Sequence, residues 1–139
     1  MGDVLIAYIP TCEIDIYWDT ISPMLRKAAA RYENSYGFDV VERSVREGNS
    51  VLWVITSDGE PVAAMTTIEV VYPRRKTLRI ELLGGKGADY WAGEVITSLA
   101  QSARAAGFAA IETHARLGWS KLAKKHNFKA IYTAYEMDI

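Results

Sequence analysis

The sequence from Thr77 to Ala106 consists of TLRIELLGG (77–85), KGAD (86–89) and YWAGEVITSLAQSARAA (90–106). The first segment is typical of a β-strand, the second of a glycine turn, and the third of a helix packed on a sheet. Because the first turn of a helix leaves its backbone N–H groups unpaired, a strand, turn and helix in this order can hold an anion. Gly84 to Asp89 is therefore the first candidate binding site.

Composition limits the class of protein. The 139 residues fit one domain, 1–139, and half of them are hydrophobic, as in an ordinary globular protein. A net charge of −1 gives no overall attraction to nucleic acid. We interpret the basic cluster of Arg74, Arg75, Lys76 and Arg79 as a solvated hairpin tip, with a patch that binds a partner protein or nucleic acid as the alternative. The lone Cys12, two histidines and absence of a long apolar run predict no disulfide, no metal site and no membrane span. We expect a soluble, intracellular protein.

The first half of the chain predicts two helical regions followed by a β-meander. Helix formation is expected from near Glu13, with an interruption at Ser22-Pro23, because proline disrupts a helix interior. Ser57-Asp58-Gly59-Glu60 is a strong hairpin signal. The predicted elements are a strand Val4–Ile9, helical segments 13–22 and Pro23–Tyr32, a helix Asp39–Glu47 with Asp39 as its N-cap, and strands Ser50–Thr56, Pro61–Tyr72 and Thr77–Leu83.

The second half predicts a parallel crossover. We expect a helix Tyr90–Ala106 with Asp89 as N-cap, because apolar residues recur there at intervals of three and four. The strand after it would lie parallel to Thr77–Leu83. Trp91 and Trp119 are predicted to anchor the starts of their helices. The remaining elements are strand Phe108–His114, helix Leu117–Lys125 and closing strand Phe128–Ile139.

This order, with the glycine turn before the long helix and Asn127-Phe128 before the last strand, resembles the GNAT superfamily of N-acetyltransferases. The segments 71–85 and 116–139 resemble, more closely, small GNAT-like proteins of bacteriophages and prophages. The resemblance implies an α/β (α+β) fold, with a mixed, mostly antiparallel sheet of about six strands flanked by about four helices. It also implies residence in the cytoplasm of a bacterial host, with association with the virion as an alternative.

The resemblance further implies a cofactor site. In the superfamily, amides of the glycine turn bind the pyrophosphate of acetyl-CoA. The corresponding positions here are Leu83, Gly84, Gly85, Lys86, Gly87 and Ala88. The basic residue that usually leads the pattern is degenerate, and the Asp89 carboxylate would repel a pyrophosphate, so a purely structural turn is the alternative.

Catalytic candidates come from the same resemblance. Glu81 occupies the position of the general base, although alternation along the strand also places it on a solvated face. His114 is a second candidate, since histidine titrates near neutrality. The usual acid, a tyrosine, corresponds to Ala123, so Tyr132 or Tyr135 would have to replace it unless both serve packing.

Two functions remain open at this point. The first is acyl-CoA-dependent transfer of an acyl group to an amine of a small molecule or protein. The second is a catalytically inactive GNAT-fold protein that binds other phage proteins. The sequence does not specify the acceptor or the oligomeric state.

Overall fold

The computed structural model describes residues 3–32, 37–115 and 119–139. These residues form five β-strands and four α-helices. The strands are β1 (Val4–Ile9), β2 (Val51–Ser57), β3 (Glu60–Val71), β4 (Lys76–Gly85) and β5 (Ala110–Thr113); the helices are α1 (Ile14–Ala29), α2 (Phe38–Arg46), α3 (Ala88–Ala105) and α4 (Ser120–Lys125).

The strands form one mixed sheet in the order β1-β2-β3-β4-β5. Neighbouring strands are antiparallel from β1 to β4, whereas β5 is parallel to β4. A parallel pair requires a crossover, and α3 supplies it. The predicted fold class and the predicted parallel pairing of the strands before and after the long helix are therefore confirmed, with five strands in the described residues instead of about six.

The hairpin between β2 and β3 has the predicted two-residue turn. Asp58 and Gly59 have φ angles of 53° and 82°, and Ser57 pairs with Glu60 across the turn. Two successive positive φ angles define a type I′ turn, whose twist matches that of the flanking strands. This turn fixes the register of β2 and β3.

The prediction of a helix interruption at Ser22-Pro23 is wrong. Helix α1 continues through Pro23 to Ala29, and a 3-10 turn over Ala30–Tyr32 follows. Pro23 removes the donor to the Asp19 carbonyl, but both residues are exposed, so water can satisfy that carbonyl. The position of the proline on the solvent side allows one helix instead of two.

One of the other two predicted helix starts needs correction, and one falls on residues that the structure does not describe. Helix α2 begins at Phe38 with Gly37 as N-cap, and Asp39 lies in its first turn. Helix α4 begins at Ser120, and the predicted start at Leu117 lies outside the described residues. For α2 the local sequence predicted the helix and misplaced its first residue; for α4 it predicted the helix, and the first residue stays a prediction.

The predicted closing strand is wrong. Residues 129–139 are exposed and contain no strand, with Tyr135 92% exposed. The N–H of Phe128 still bonds the Ala123 carbonyl at the end of α4, as in a Schellman motif. A strand exists only when its backbone pairs with a neighbour, and β5, the nearest edge, pairs with β4 alone in the described residues. The alternating apolar residues of Phe128–Ile139 therefore predicted a strand, but no strand in the described residues pairs with this segment.

The sheet carries a hydrophobic cluster on each face. One cluster packs α1 and α2 against the sheet and includes Ile21, Leu25 and Leu82. The other packs α3 and includes Ile80 and Trp91. We call these the α1 face and the α3 face. None of the helices in the described ranges has the length and apolar character that crossing a bilayer needs.

An ion pair joins β4 to β5 near their starts. Arg79 Nη2 lies 3.0 Å from Glu112 Oε1, and the Tyr72 hydroxyl donates to both carboxylate oxygens at 3.0 Å. Burial opposes ionisation of Glu112, but the hydrogen bonds from Tyr72 and Arg79 outweigh it, so the pKa of Glu112 is lowered. These contacts hold the two strands together just before the residues at which they separate.

Candidate functional site

Packing explains Gly84 and Gly85, the last two residues of β4. A Cβ on Gly84 would lie 2.2 Å from the Met24 carbonyl oxygen in α1, and one on Gly85 would lie 2.4 Å from the Val62 carbonyl oxygen in β3. Neither position has room for a side chain. Gly84 and Gly85 are therefore explained by close backbone contacts, independently of any ligand.

Gly87 differs from these two glycines. Its φ of 76° lies in the left-handed region, and no atom of the described residues lies within 4 Å of the position that its Cβ would take. It is the N-cap of the 18-residue helix α3, and no side chain caps that end. Gly87 thus leaves open space at the start of α3, where the first turn of a helix has N–H groups without helical partners and can bind an anion.

Asp89 is not the N-cap that the sequence predicted. It is exposed in the first turn of α3, two residues after the actual N-cap. Trp91 holds the turn in place, because its buried indole N–H donates to the Lys86 carbonyl at 2.7 Å. The predicted anchoring role is confirmed for Trp91, whereas Trp119 is half-buried and lines the cleft described next.

The sheet opens between β4 and β5. Their pairing ends at Ile80 and Thr113, while β4 continues to Gly85. A β-bulge begins at this level: Thr67 pairs with Ile80 and Thr66 with Leu82, so that Glu81 is an extra residue in β4. Beyond the bulge, the outer edge of β4 has no strand partner in the described residues.

A cleft of about 820 Å³ occupies this opening. Its walls come from both faces of the sheet, so it passes from the α1 face to the α3 face through the gap. Most of the lining is apolar. The lining residues that carry charge or can titrate are Lys27, Arg31, Glu81, Lys86, His114 and His126.

Glu81 is half-buried in this cleft and does not lie on a solvated face. Its Oε1 accepts hydrogen bonds from Thr66 Oγ1 at 3.0 Å and Ser50 Oγ at 3.3 Å. Thr66 and Ser50 are buried, and Ser44 Oγ in α2 lies 2.7 Å from Ser50 Oγ. Oε2 has no hydrogen-bond partner in the described part of the chain. The network therefore fixes one carboxylate oxygen and leaves the other available to a ligand.

The other two catalytic candidates occupy different surroundings. His114 follows β5 and lines the cleft, and its Nε2 lies 2.8 Å from the Tyr132 hydroxyl. Tyr135 is exposed and does not line the cleft, so its catalytic role stays a prediction. Ala123 lines the cleft and has no group that can donate a proton. The structure brings Glu81 and His114 to one cleft and leaves Tyr135 outside it.

Sequence reasoning missed four residues of this site. Ser50 and Thr66 are buried polar residues in apolar strands, a pattern that indicates a hydrogen-bonded network without naming its centre. Lys27 and Arg31 are four residues apart, and this spacing places them on one side of a helix. Which side faces a cleft depends on tertiary packing.

No protein-family model and no curated protein matches the chain. Solved structures match it over nearly its full length. A probable acetyltransferase has 14% identity and a TM-score of 0.70, covering 99% of this chain and 97% of its own. An aminoglycoside acetyltransferase from an uncultured soil metagenomic sample has 14% identity, a TM-score of 0.70 and 99% coverage of both chains. An aminoglycoside N-acetyltransferase in complex with CoA has 8% identity and a TM-score of 0.67, covering 100% of this chain and 96% of its own.

At these identities the similarity concerns the fold. This chain has a mixed sheet, a crossover helix after the glycine turn and a gap between two parallel strands, and the three neighbours above are described as acetyltransferases, one of them as a probable one. The chain has the GNAT fold.

Proposed function

We propose that the protein is an acyl-CoA-dependent N-acyltransferase that uses the cleft between β4 and β5. The observation that carries this proposal is the separation of the two strands after Ile80, which opens the cleft beside the N-terminus of α3. Its volume lies in the range of small-molecule sites. An enclosed core with continuous strand pairing would offer no such site.

The donor set of the cleft fits acyl-CoA. The open N-terminus of α3 at Gly87 and the neighbouring Lys86 suit a diphosphate. The outer edge of β4 between Glu81 and Gly85 offers backbone N–H and C=O groups to an extended ligand with amide groups, as an added strand would use them. The exposed Asp89 carboxylate in the same turn opposes a phosphate, and its distance from the bound anion determines how strongly.

The chain's own residues supply the proton transfers. Acyl-CoA would provide the activated acyl group. Glu81 Oε2, directly or through one water, would accept a proton from the attacking amine, which is nucleophilic only when neutral. His114, which lines the cleft and contacts the Tyr132 hydroxyl, would return a proton to the departing thiolate. His114 and Tyr132 would together replace the tyrosine that serves as general acid in the superfamily, at the position that Ala123 occupies in this chain.

Calorimetry and thermal unfolding with acetyl-CoA test the proposal. A ligand at about 100 times its dissociation constant adds about 2.7 kcal/mol to the free energy of unfolding, so the melting temperature should rise. Gly87→Asp and Gly87→Asn form a matched pair, because both put a side chain at a positive φ and only Asp adds charge. We expect Asp to abolish binding and Asn to retain part of it. Glu81→Gln should bind normally and lose turnover.

An absence of binding at millimolar acetyl-CoA would contradict the proposal and favour the inactive, protein-binding alternative. Origin in a phage or prophage and residence in the host cytoplasm stay predictions from the sequence. Neither enters the mechanism.

A further inference from the structure

The charges around the cleft are unequal. Among the residues that the structure describes, Lys27, Arg31 and Lys86 line it together with a single carboxylate, that of Glu81. Within the described ranges, the salt bridges join other residues, so none of these three cations is neutralised by an ion pair. The cleft is thus positively charged at its rim and carries one negative group inside.

The cations divide between the two faces of the sheet. Lys27 lies in the last turn of α1 and Arg31 in the 3-10 turn that continues it, and the intervening Ala28 packs against Gly84. Lys86 precedes α3, which packs on the opposite face. The two cations from the α1 region are therefore separated by β4 from the amides at the start of α3.

Glu81 belongs to the same side as Lys27 and Arg31. Its hydrogen-bond donor Thr66 lies two residues after Ala64 in β3 and therefore on the same face, and Ala64 belongs to the cluster on the α1 face. The second donor, Ser50, is within hydrogen-bond distance of Ser44 in α2. On the α1 face, the opening therefore combines one carboxylate with two cations.

The C-terminal end of a helix attracts cations through the helix dipole, but the dipole does not direct their side chains into a cleft. Arg26, in the same turn of α1, lies over the ring of Phe38 at 4.4 Å. Lys27 and Arg31 instead form a like-charge pair at a spacing of four, which disfavours helix formation. A ligand anion between them would remove that repulsion.

We infer that the acceptor is a small amine that carries an anionic group, a carboxylate or a phosphate, bound by Lys27 and Arg31 while its amine faces Glu81. This inference rests on the proposed function and specifies its substrate class. A polycationic amine would place additional positive charge beside Lys27 and Arg31, which is unfavourable by Coulomb's law. In an anionic acceptor, the amine would lie beside the Glu81 carboxylate, and the anionic group would lie beside Lys27 and Arg31.

The test compares four amines at one ionic strength, with thiol release from acetyl-CoA as readout: O-phosphoethanolamine, aspartate, ethanolamine and spermidine. We expect kcat/KM to be at least about tenfold higher for the two anionic amines, and this preference to weaken in salt because screening acts on exposed charges. The better of the two identifies the anion as phosphate or carboxylate. Equal or faster turnover of ethanolamine or spermidine would overturn the inference.

Charge reversal assigns the preference to residues. Lys27→Glu and Arg31→Glu should each reduce the preference by about tenfold, since an attraction becomes a repulsion. Lys121→Glu is the matched control, because Lys121 is exposed in α4 and does not line the cleft. If the two reversals weaken CoA binding and leave the amine preference unchanged, these cations serve the cofactor and the inference is wrong.

Calorimetry with O-phosphoethanolamine, with and without CoA, separates the two proposals. If CoA binds and no anionic amine binds up to about 10 mM, a limit that corresponds to very weak affinity, the substrate inference fails alone. If CoA does not bind and O-phosphoethanolamine binds in a manner that Lys27→Glu abolishes, the transferase proposal fails and the anion site stands.

Discussion

Gly84→Ala adds a methyl group where α1 already lies. An ideal Cβ at Gly84 would be 2.2 Å from the Met24 carbonyl oxygen and 3.3 Å from the Ala28 Cβ. Non-bonded heavy atoms are separated by about 3.5 Å at their optimum, so α1 would have to move away from β4 by about 1 Å. The obstacle is helix backbone, which has no rotamer by which to avoid the contact.

This movement would disturb a well-filled core. Ile21 and Leu25 of α1 are fully buried in the cluster on the α1 face. Overpacking of a core costs roughly 1–3 kcal/mol, and we expect Gly84→Ala to lie near the upper end, at about 3 kcal/mol. Gly87→Ala is the control, because its Cβ meets no atom of the described part of the chain within 4 Å. It should cost only about 1–2 kcal/mol, the penalty of a left-handed backbone.

Urea unfolding followed by tryptophan fluorescence measures both variants, with the slope of the transition showing whether two-state behaviour is kept. The reasoning is refuted if Gly84→Ala is no more destabilising than Gly87→Ala. Titration with acetyl-CoA should rank the two variants in the opposite order. Gly84→Ala should retain binding under conditions where it is folded, whereas Gly87→Ala, next to the open end of α3, should weaken binding more.

Two further predictions concern polar contacts. The lowered pKa of Glu112 stabilises the fold above the carboxyl's unfolded pKa, and this stability is lost as the pH falls through the lower folded value. Tyr72→Phe should therefore reduce the free energy of unfolding at pH 7 and have little effect near pH 2, as acid and urea titrations would show; an equal loss at both pH values would contradict this. Trp91→Phe keeps an aromatic ring but removes the indole N–H that donates to the Lys86 carbonyl, which should cost about 0.5–1.5 kcal/mol in urea unfolding, and an unchanged midpoint would refute it.

Local signals predicted the framework of the sheet. Asp58-Gly59 specifies a turn that few other residues allow, and the apolar spacing from Ala92 to Ala103 is that of a helix packed on one side. Both features depend on neighbours in sequence, so they are visible in the sequence itself.

The features that failed depend on neighbours in space. Whether Pro23 disrupts its helix depends on which side of α1 faces water, and whether Phe128–Ile139 forms a strand depends on an available edge. The hydrogen bonds of Glu81 come from residues 15 and 31 positions away. No spacing rule in the sequence connects them.

The bulge at Glu81 links the fold to the site. Ile80 and Leu82 are two residues apart and would lie on one face of a regular strand, yet Ile80 packs on the α3 face and Leu82 on the α1 face. The extra residue reverses the alternation, so that β4 contributes to both clusters. Glu81 is brought beside Thr66 at the level where pairing with β5 ends. One inserted residue therefore accounts for both the orientation of the carboxylate and its place at the opening of the cleft, and the alternation rule that predicted a solvated Glu81 fails at the residue that interrupts the alternation.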